Sequence, residues 1–124
     1  MIEYVDDDDQ LYLRVLRIHL KAGGRVSSAA FKDRQGHPKN DISVDLARLT
    51  TPNETLTRDQ RPIFGLGVLV ARDVRALGFV VEHQPVDGNT AHVRIAGESS
   101  KAMCLLLAES TRLLLDAPGP SSQL

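Results

Sequence analysis

The segment LYLRVLRIHL, residues 11–20, places apolar side chains at 11, 13, 15, 16, 18 and 20. The first three alternate as on a half-buried strand, and the rhythm slips after Val15. This predicts a strand over about 11–16 with Arg14 pointing outward. A short amphipathic helix is the rival, and Gly23-Gly24 ends either one. VSSAAFKD (26–33) and DISVDLA (41–47) both alternate and flank RQGHPKN, whose Gly, Pro and Asn are turn residues. That pattern predicts a β-hairpin.

TTPNETL opens a short helix, with Thr51 as N-cap, Pro52 at the first position and Glu54 at the third. PIFGLGVLVA (62–71) is a continuous apolar run, as in a strand covered on both faces. ARDVRALG (71–78) reads as a short helix closed by Gly78. FVVEHQPV and TAHVRIA form a second predicted hairpin. SSKAMCLLLAESTRLLLD (99–116) predicts one long helix capped by Ser99 or Ser100. Met103, Leu106, Leu107 and Leu114 would trace its core face.

The predicted fold is α+β. A largely antiparallel sheet of two hairpins plus additional strands is accompanied by short helices. One long C-terminal helix packs on one face. Residues 1–10 are expected to form an acidic flexible arm, 11–116 a single domain and 117–124 a loose tail.

The second hairpin holds two of the four histidines, and its register decides whether they meet. Ala91, Val93 and Ile95 should face the core, with His92 and Arg94 outside. An odd loop, such as Gly88, Asn89 and Thr90 with a bulge, puts Val81, His83 and Pro85 inside, and Glu82 and Gln84 outside. The histidines then lie on opposite faces. An even loop puts both on one face but drives Glu82 toward the core, where an unpaired carboxylate is costly. The odd register is the expected one.

Composition narrows the function classes. Aromatic residues make up 4% of the 124-residue chain and Trp is absent. Aromatic platforms for stacking bases are therefore not available. Cys104 is the single cysteine, inside the apolar run AMCLLLA, and reads as a buried thiol. It excludes both an intrachain disulfide and a CxxC-type zinc site. The apolar runs are shorter than the roughly 20 residues of a membrane span. The acidic start lacks the basic and apolar regions of a secretion signal. A cytoplasmic protein without membrane association is expected.

The net charge is −1, yet the signs are separated. Glu3 and Asp6 to Asp9 precede a block of Arg14, Arg17, Lys21, Arg25, Lys32, Arg34 and Lys39, interrupted by Asp33 alone. The block is a candidate binding face for phosphates or acids, shielded by the acidic arm, or else a solvated surface.

Candidate chemistry is thin. Ser28, Asp45, His83 and His92 are the side chains from which a nucleophile, base and orienter could be assembled. No strained nucleophile turn or oxyanion loop accompanies them, so no catalytic residue is assigned. GLG at 65–67 lacks the third glycine of a dinucleotide fingerprint. KAGGR lacks the Gly-Lys-Ser/Thr of a P-loop. No metal site and no cofactor are expected.

The strings SSAAFKD, DISVDLARLTTPNETL and HQPVDGNTAHVRI resemble a family of small bacterial proteins. That family joins a Ser-Ser-x-Ala-Phe segment, a Ser-Val-Asp strand, a Thr-Pro-x-Glu-Thr helix start and a late Asn-x-x-His strand. The resemblance spans roughly residues 11–110. Ser28, Phe31, Ser43, Asp45, Thr51, Pro52, Asn89 and His92 would be its characteristic positions. It implies a bacterial cytoplasmic origin and brings no reaction with it.

These readings favour a non-enzymatic interaction or adaptor protein in a larger protein assembly, such as a defence or conflict system, with a protein partner or a second copy. A small hydrolase or nucleotide-acting enzyme using Ser28, Asp45, His83 or His92 is the second expectation. A nucleic-acid binder using the basic block is the third, with affinity that would fall steeply with salt.

Overall fold

The structure, a computed structural model, describes residues 2–32, 41–59, 63–97 and 100–117. Among these residues, six strands form one antiparallel sheet: β1 (Gln10–Leu16), β4 (Asp41–Leu46), β5 (Phe64–Val70), β6 (Val80–His83), β7 (His92–Ala96) and β8 (Arg112–Leu115). Their order is β6-β7-β4-β1-β5-β8. The two-residue strands β2 (Leu20–Lys21) and β3 (Arg25–Val26) pair separately around Gly23-Gly24. Among the described residues, four short helices complete the α+β fold: α1 (Ala29–Lys32), α2 (Pro52–Thr57), α3 (Ala71–Ala76) and α4 (Lys101–Glu109).

β1 takes the central place because its alternation supplies one fully apolar face. Leu11, Leu13 and Val15 are buried there beside Val44 and Leu46 of β4 and Leu69 of β5. Cys104 and Leu107 of α4 and Phe31 of α1 close over this core. On the opposite face α2 packs on β1 and β5, which explains why Leu66 and Val68 are buried as well. The apolar run of β5 is therefore covered on both sides, as its sequence requires.

The cap signals act as predicted in α2 and α3. The Thr51 hydroxyl accepts the Glu54 N–H, and Pro52 starts α2. Gly78, at φ 98°, donates its N–H to the Arg75 carbonyl and ends α3.

Two elements differ from the sequence expectation. The first predicted hairpin does not form: β4 pairs with β1 and β7 instead. Residues 29–32 make one helical turn, because the Ser27 hydroxyl accepts the Ala29 N–H and the Ser27 carbonyl accepts the Ala30 N–H. Ala30 and Phe31 are then both buried, which alternation would forbid. The predicted loop between the two segments lies outside the described residues.

The long C-terminal helix also does not form. α4 spans 9 residues. The Ser110 and Thr111 hydroxyls donate back to the Leu106 and Leu107 carbonyls, four residues earlier. Such hydroxyls compete with helix propagation, and the chain turns into β8 along β5. The expected leucine stripe splits accordingly: Leu107 is buried, but Leu106 is 40% and Leu114 39% exposed. Ser100, not Ser99, caps α4 through the Met103 N–H.

The acidic start, expected as a flexible arm, lies against the fold. Val5 is buried, and the carbonyls of Asp7 and Asp9 accept the N–H groups of Arg72 and Ala71. Its carboxylates pair with Arg48, Arg72 and Arg75. These arginines lie outside the basic block that the arm was expected to shield. Of the tail, only Ala117 is described.

Candidate functional site

The hairpin of β6 and β7 settles the histidine question. His83 stands opposite Val93, and Val81 opposite Ile95. At the tip, Val86 and Asn89 exchange both backbone hydrogen bonds around Asp87 and Gly88, whose φ is 82°. Lower down, the Gln84 N–H donates to the His92 carbonyl. Two steps on the first strand thus match three on the second. This one-residue bulge gives the expected parity, through a different turn from the one expected. Continued without it, the Val86–Asn89 pairing would set His83 against His92. With it, His83 points into the core side and His92 to the other face.

The outer face carries a connected polar cluster. Asp45, 5% exposed, projects from β4 beneath α2. Its Oδ2 accepts the Thr55 hydroxyl at 2.8 Å and Arg58 Nε at 2.9 Å. Its Oδ1 accepts the Asn89 side-chain amide at 2.8 Å. Asn89 in turn accepts the Ala91 N–H at 3.1 Å, and Arg58 donates to the Thr50 hydroxyl at 2.9 Å. Burial pushes the Asp45 carboxyl up; the hydrogen bonds from Asn89, Arg58 and Thr55 outweigh it and hold the group below its ordinary range. A carboxylate so fully engaged is a poor proton acceptor. Its chemistry is to join β4, α2 and the β6–β7 loop.

Beside it, opposite Asp45 in the sheet register, lies His92. Its Nε2 is 3.0 Å from the Ser43 hydroxyl, and its Nδ1 is 2.8 Å from the Gln84 carbonyl. With Nδ1 carrying the proton, Nε2 accepts from the hydroxyl. Arg94 continues the face, bridging Asp41 at 2.9 Å and Glu82 at 3.1 Å.

The four candidate residues divide. Asp45 and His92 are neighbours on this face. His83 is on the other side of the sheet, and Ser28 lies at the start of α1. Asn89 and Ser43, characteristic positions of the motif resemblance, fall within the cluster. Thr55 and Arg58 were not singled out from the sequence; three positions apart at the helix end, they carry only a weak signal.

The basic block does not form one face in the described part. Arg14 lies, as expected, on the face opposite Leu13 and Val15, half-buried under α2 with its guanidinium 3.1 Å from the Thr55 carbonyl and 5.5 Å from the Phe64 ring centre. Lys21, Arg25 and Lys32 are exposed. Arg17 lies in the turn after β1, and Arg34 and Lys39 fall outside the described residues.

Among the described residues, no group of three or more His, Cys, Asp or Glu side chains is placed to hold a metal ion. No described helix is long and apolar enough to cross a membrane. No protein-family model matches the chain, and no curated protein or solved structure matches it significantly.

Proposed function

We propose that the chain is a non-enzymatic interaction protein that docks on another protein through the edge strand β8. The observation that carries this reading is apolar exposure at a sheet edge. Leu114 and Leu115 of β8 are 39% and 41% exposed. Among the described residues, β8 is paired on one side only. An edge strand presents unpaired backbone groups to an incoming strand, and exposed leucines supply the apolar area.

The partner that fits is an extended apolar segment of another protein, running antiparallel to β8. Arg112 begins the strand and Asp116 follows it, both exposed. They favour an acidic residue at one end of the incoming segment and a basic one at the other.

The test is recovery of the partner by the tagged full chain after nuclease treatment, repeated with Leu114→Lys and Leu115→Lys. Ile18→Lys, at an exposed site elsewhere, is the control. A stoichiometric partner lost by both β8 variants and kept by the control supports the reading. A partner indifferent to β8, or none at all, overturns it.

A hydrolase remains the second reading because of one observation. The Ser43 hydroxyl, the His92 ring and the Gln84 carbonyl reproduce a nucleophile, base and orienter. A fluorophosphonate probe that labels wild type, but neither Ser43→Ala nor His92→Gln, would favour it. Absence of labelling would remove it.

A further inference from the structure

His83 takes no part in the outer polar cluster, yet both its ring nitrogens are engaged. The side chain is 5% exposed. Nδ1 accepts the backbone N–H of Glu3 at 2.7 Å, across 80 positions of sequence. Nε2 lies 2.7 Å from the Thr90 carbonyl, to which it donates. A carbonyl on one side and an N–H on the other fix the neutral ring in a single tautomer.

We propose that His83 is a proton-operated latch that holds the start of the acidic N-terminal segment, residues 2–5, on the fold. A proton arriving at Nδ1 sets a ring N–H against the Glu3 N–H. Neither can accept from the other, and a charge is placed in a buried site. The bond must open and Glu3 must lift away. The segment is closed while His83 is neutral and opens as pH falls.

The remaining charges do not perform this step. The Glu3 carboxylate, the acid nearest the latch, would favour a charged ring, but it is engaged by Arg48 at 2.8 Å. Arg48 also pairs with Asp9 at 3.1 Å. From α3, Arg75 pairs with Asp7 at 2.8 Å and donates to the Val81 carbonyl, and Arg72 pairs with Asp8. On the hairpin, Asp87 is exposed at the tip, and Glu82 is paired with Arg94 on the outer face. Opening uncovers the site of buried Val5 and takes the Glu3 carboxylate from Arg48, while the Asp7 and Asp9 carbonyls stay on the Arg72 and Ala71 N–H groups. The consequence is an apolar site beside the Arg48 guanidinium, presented in mild acid.

The experiment is an NMR titration of the full chain from about pH 8 to about pH 5, the interval of histidine ionisation. It follows the His83 ring and amide exchange at Glu3 and Val93, corrected for intrinsic rates. Glu3 protection should fall as the ring titrates, by up to about tenfold per pH unit, the most one coupled proton allows. Val93, in the sheet, should stay protected. His83→Gln can accept from Glu3 and donate to Thr90 without titrating, so it should keep Glu3 protected throughout. His92→Gln should behave as wild type. Glu3 protection that stays level while the His83 ring titrates overturns the latch. So does equal loss in wild type and His83→Gln. The wild-type titration decides alone if the variant does not fold.

Discussion

Asp45 and Asn89 are 44 positions apart in sequence and share a 2.8 Å hydrogen bond. One sits in an inner strand and the other in a hairpin loop, so the bond ties a loop to the centre of the sheet. Asp45→Ala removes the acceptor of three donors and leaves Arg58 without its carboxylate. It should cost about 3–5 kcal/mol in urea denaturation. Asn89→Ala should cost about 1.5–3 kcal/mol, as for one hydrogen bond to a charged group. The double variant should lose less than the two together, because they share one network.

The same carboxyl predicts an acid limb. Its pKa is depressed in the folded chain, so its stabilisation is complete above the ordinary carboxylate value of about 3.9. That stabilisation is lost as pH falls through the folded value. The urea midpoint should decline below about pH 4, and Asp45→Asn should flatten this decline while lowering the midpoint at neutral pH.

Gly67 lies in β5 where a Cβ would meet Thr111 Cγ2 at 2.6 Å. Thr111 is buried and its hydroxyl is tied to the Leu107 carbonyl, so it has little room to retreat. Gly67→Ala should destabilise by about 1–3 kcal/mol, the range for overpacking. Gly88, with open space around it but a φ of 82°, should cost only about 1–2 kcal/mol as alanine, from backbone strain. Thermal denaturation of the two variants separates crowding from strain.

Cys104 is buried at the α4 contact with the core, and burial pushes its thiol upward. Alkylation by iodoacetamide at neutral pH should be slow in the native chain and rapid in denaturant. Fast native labelling would mean that α4 opens readily.

The legible parts of the sequence were those whose signals are local. Alternation gave β1, β6 and β7; Thr51-Pro52 and Gly78 gave the ends of two helices; the polarity of Glu82 and Gln84 gave the hairpin parity. Strand order was not legible, because β4 alternates equally well beside either candidate neighbour. The break at Ser110-Thr111 was missed because the leucines beyond it keep a helical spacing, while two hydroxyls decide the outcome. In the outer cluster, Asp45 and His92 could be picked out by residue type. Their grouping with Ser43, Thr55, Arg58 and Asn89 depends on pairings between distant strands.

The extra residue between Asn89 and His92 works as a spacer with a fixed count. Removing Thr90 would leave every residue of the hairpin in place as a sequence and turn one strand inside out relative to the other. His92 would come to face His83, and Val93 would lose its place in the core. Adding or removing two residues would preserve the inside and the outside of both strands. Length variation in this loop is therefore tolerable in even numbers and ruinous in odd ones.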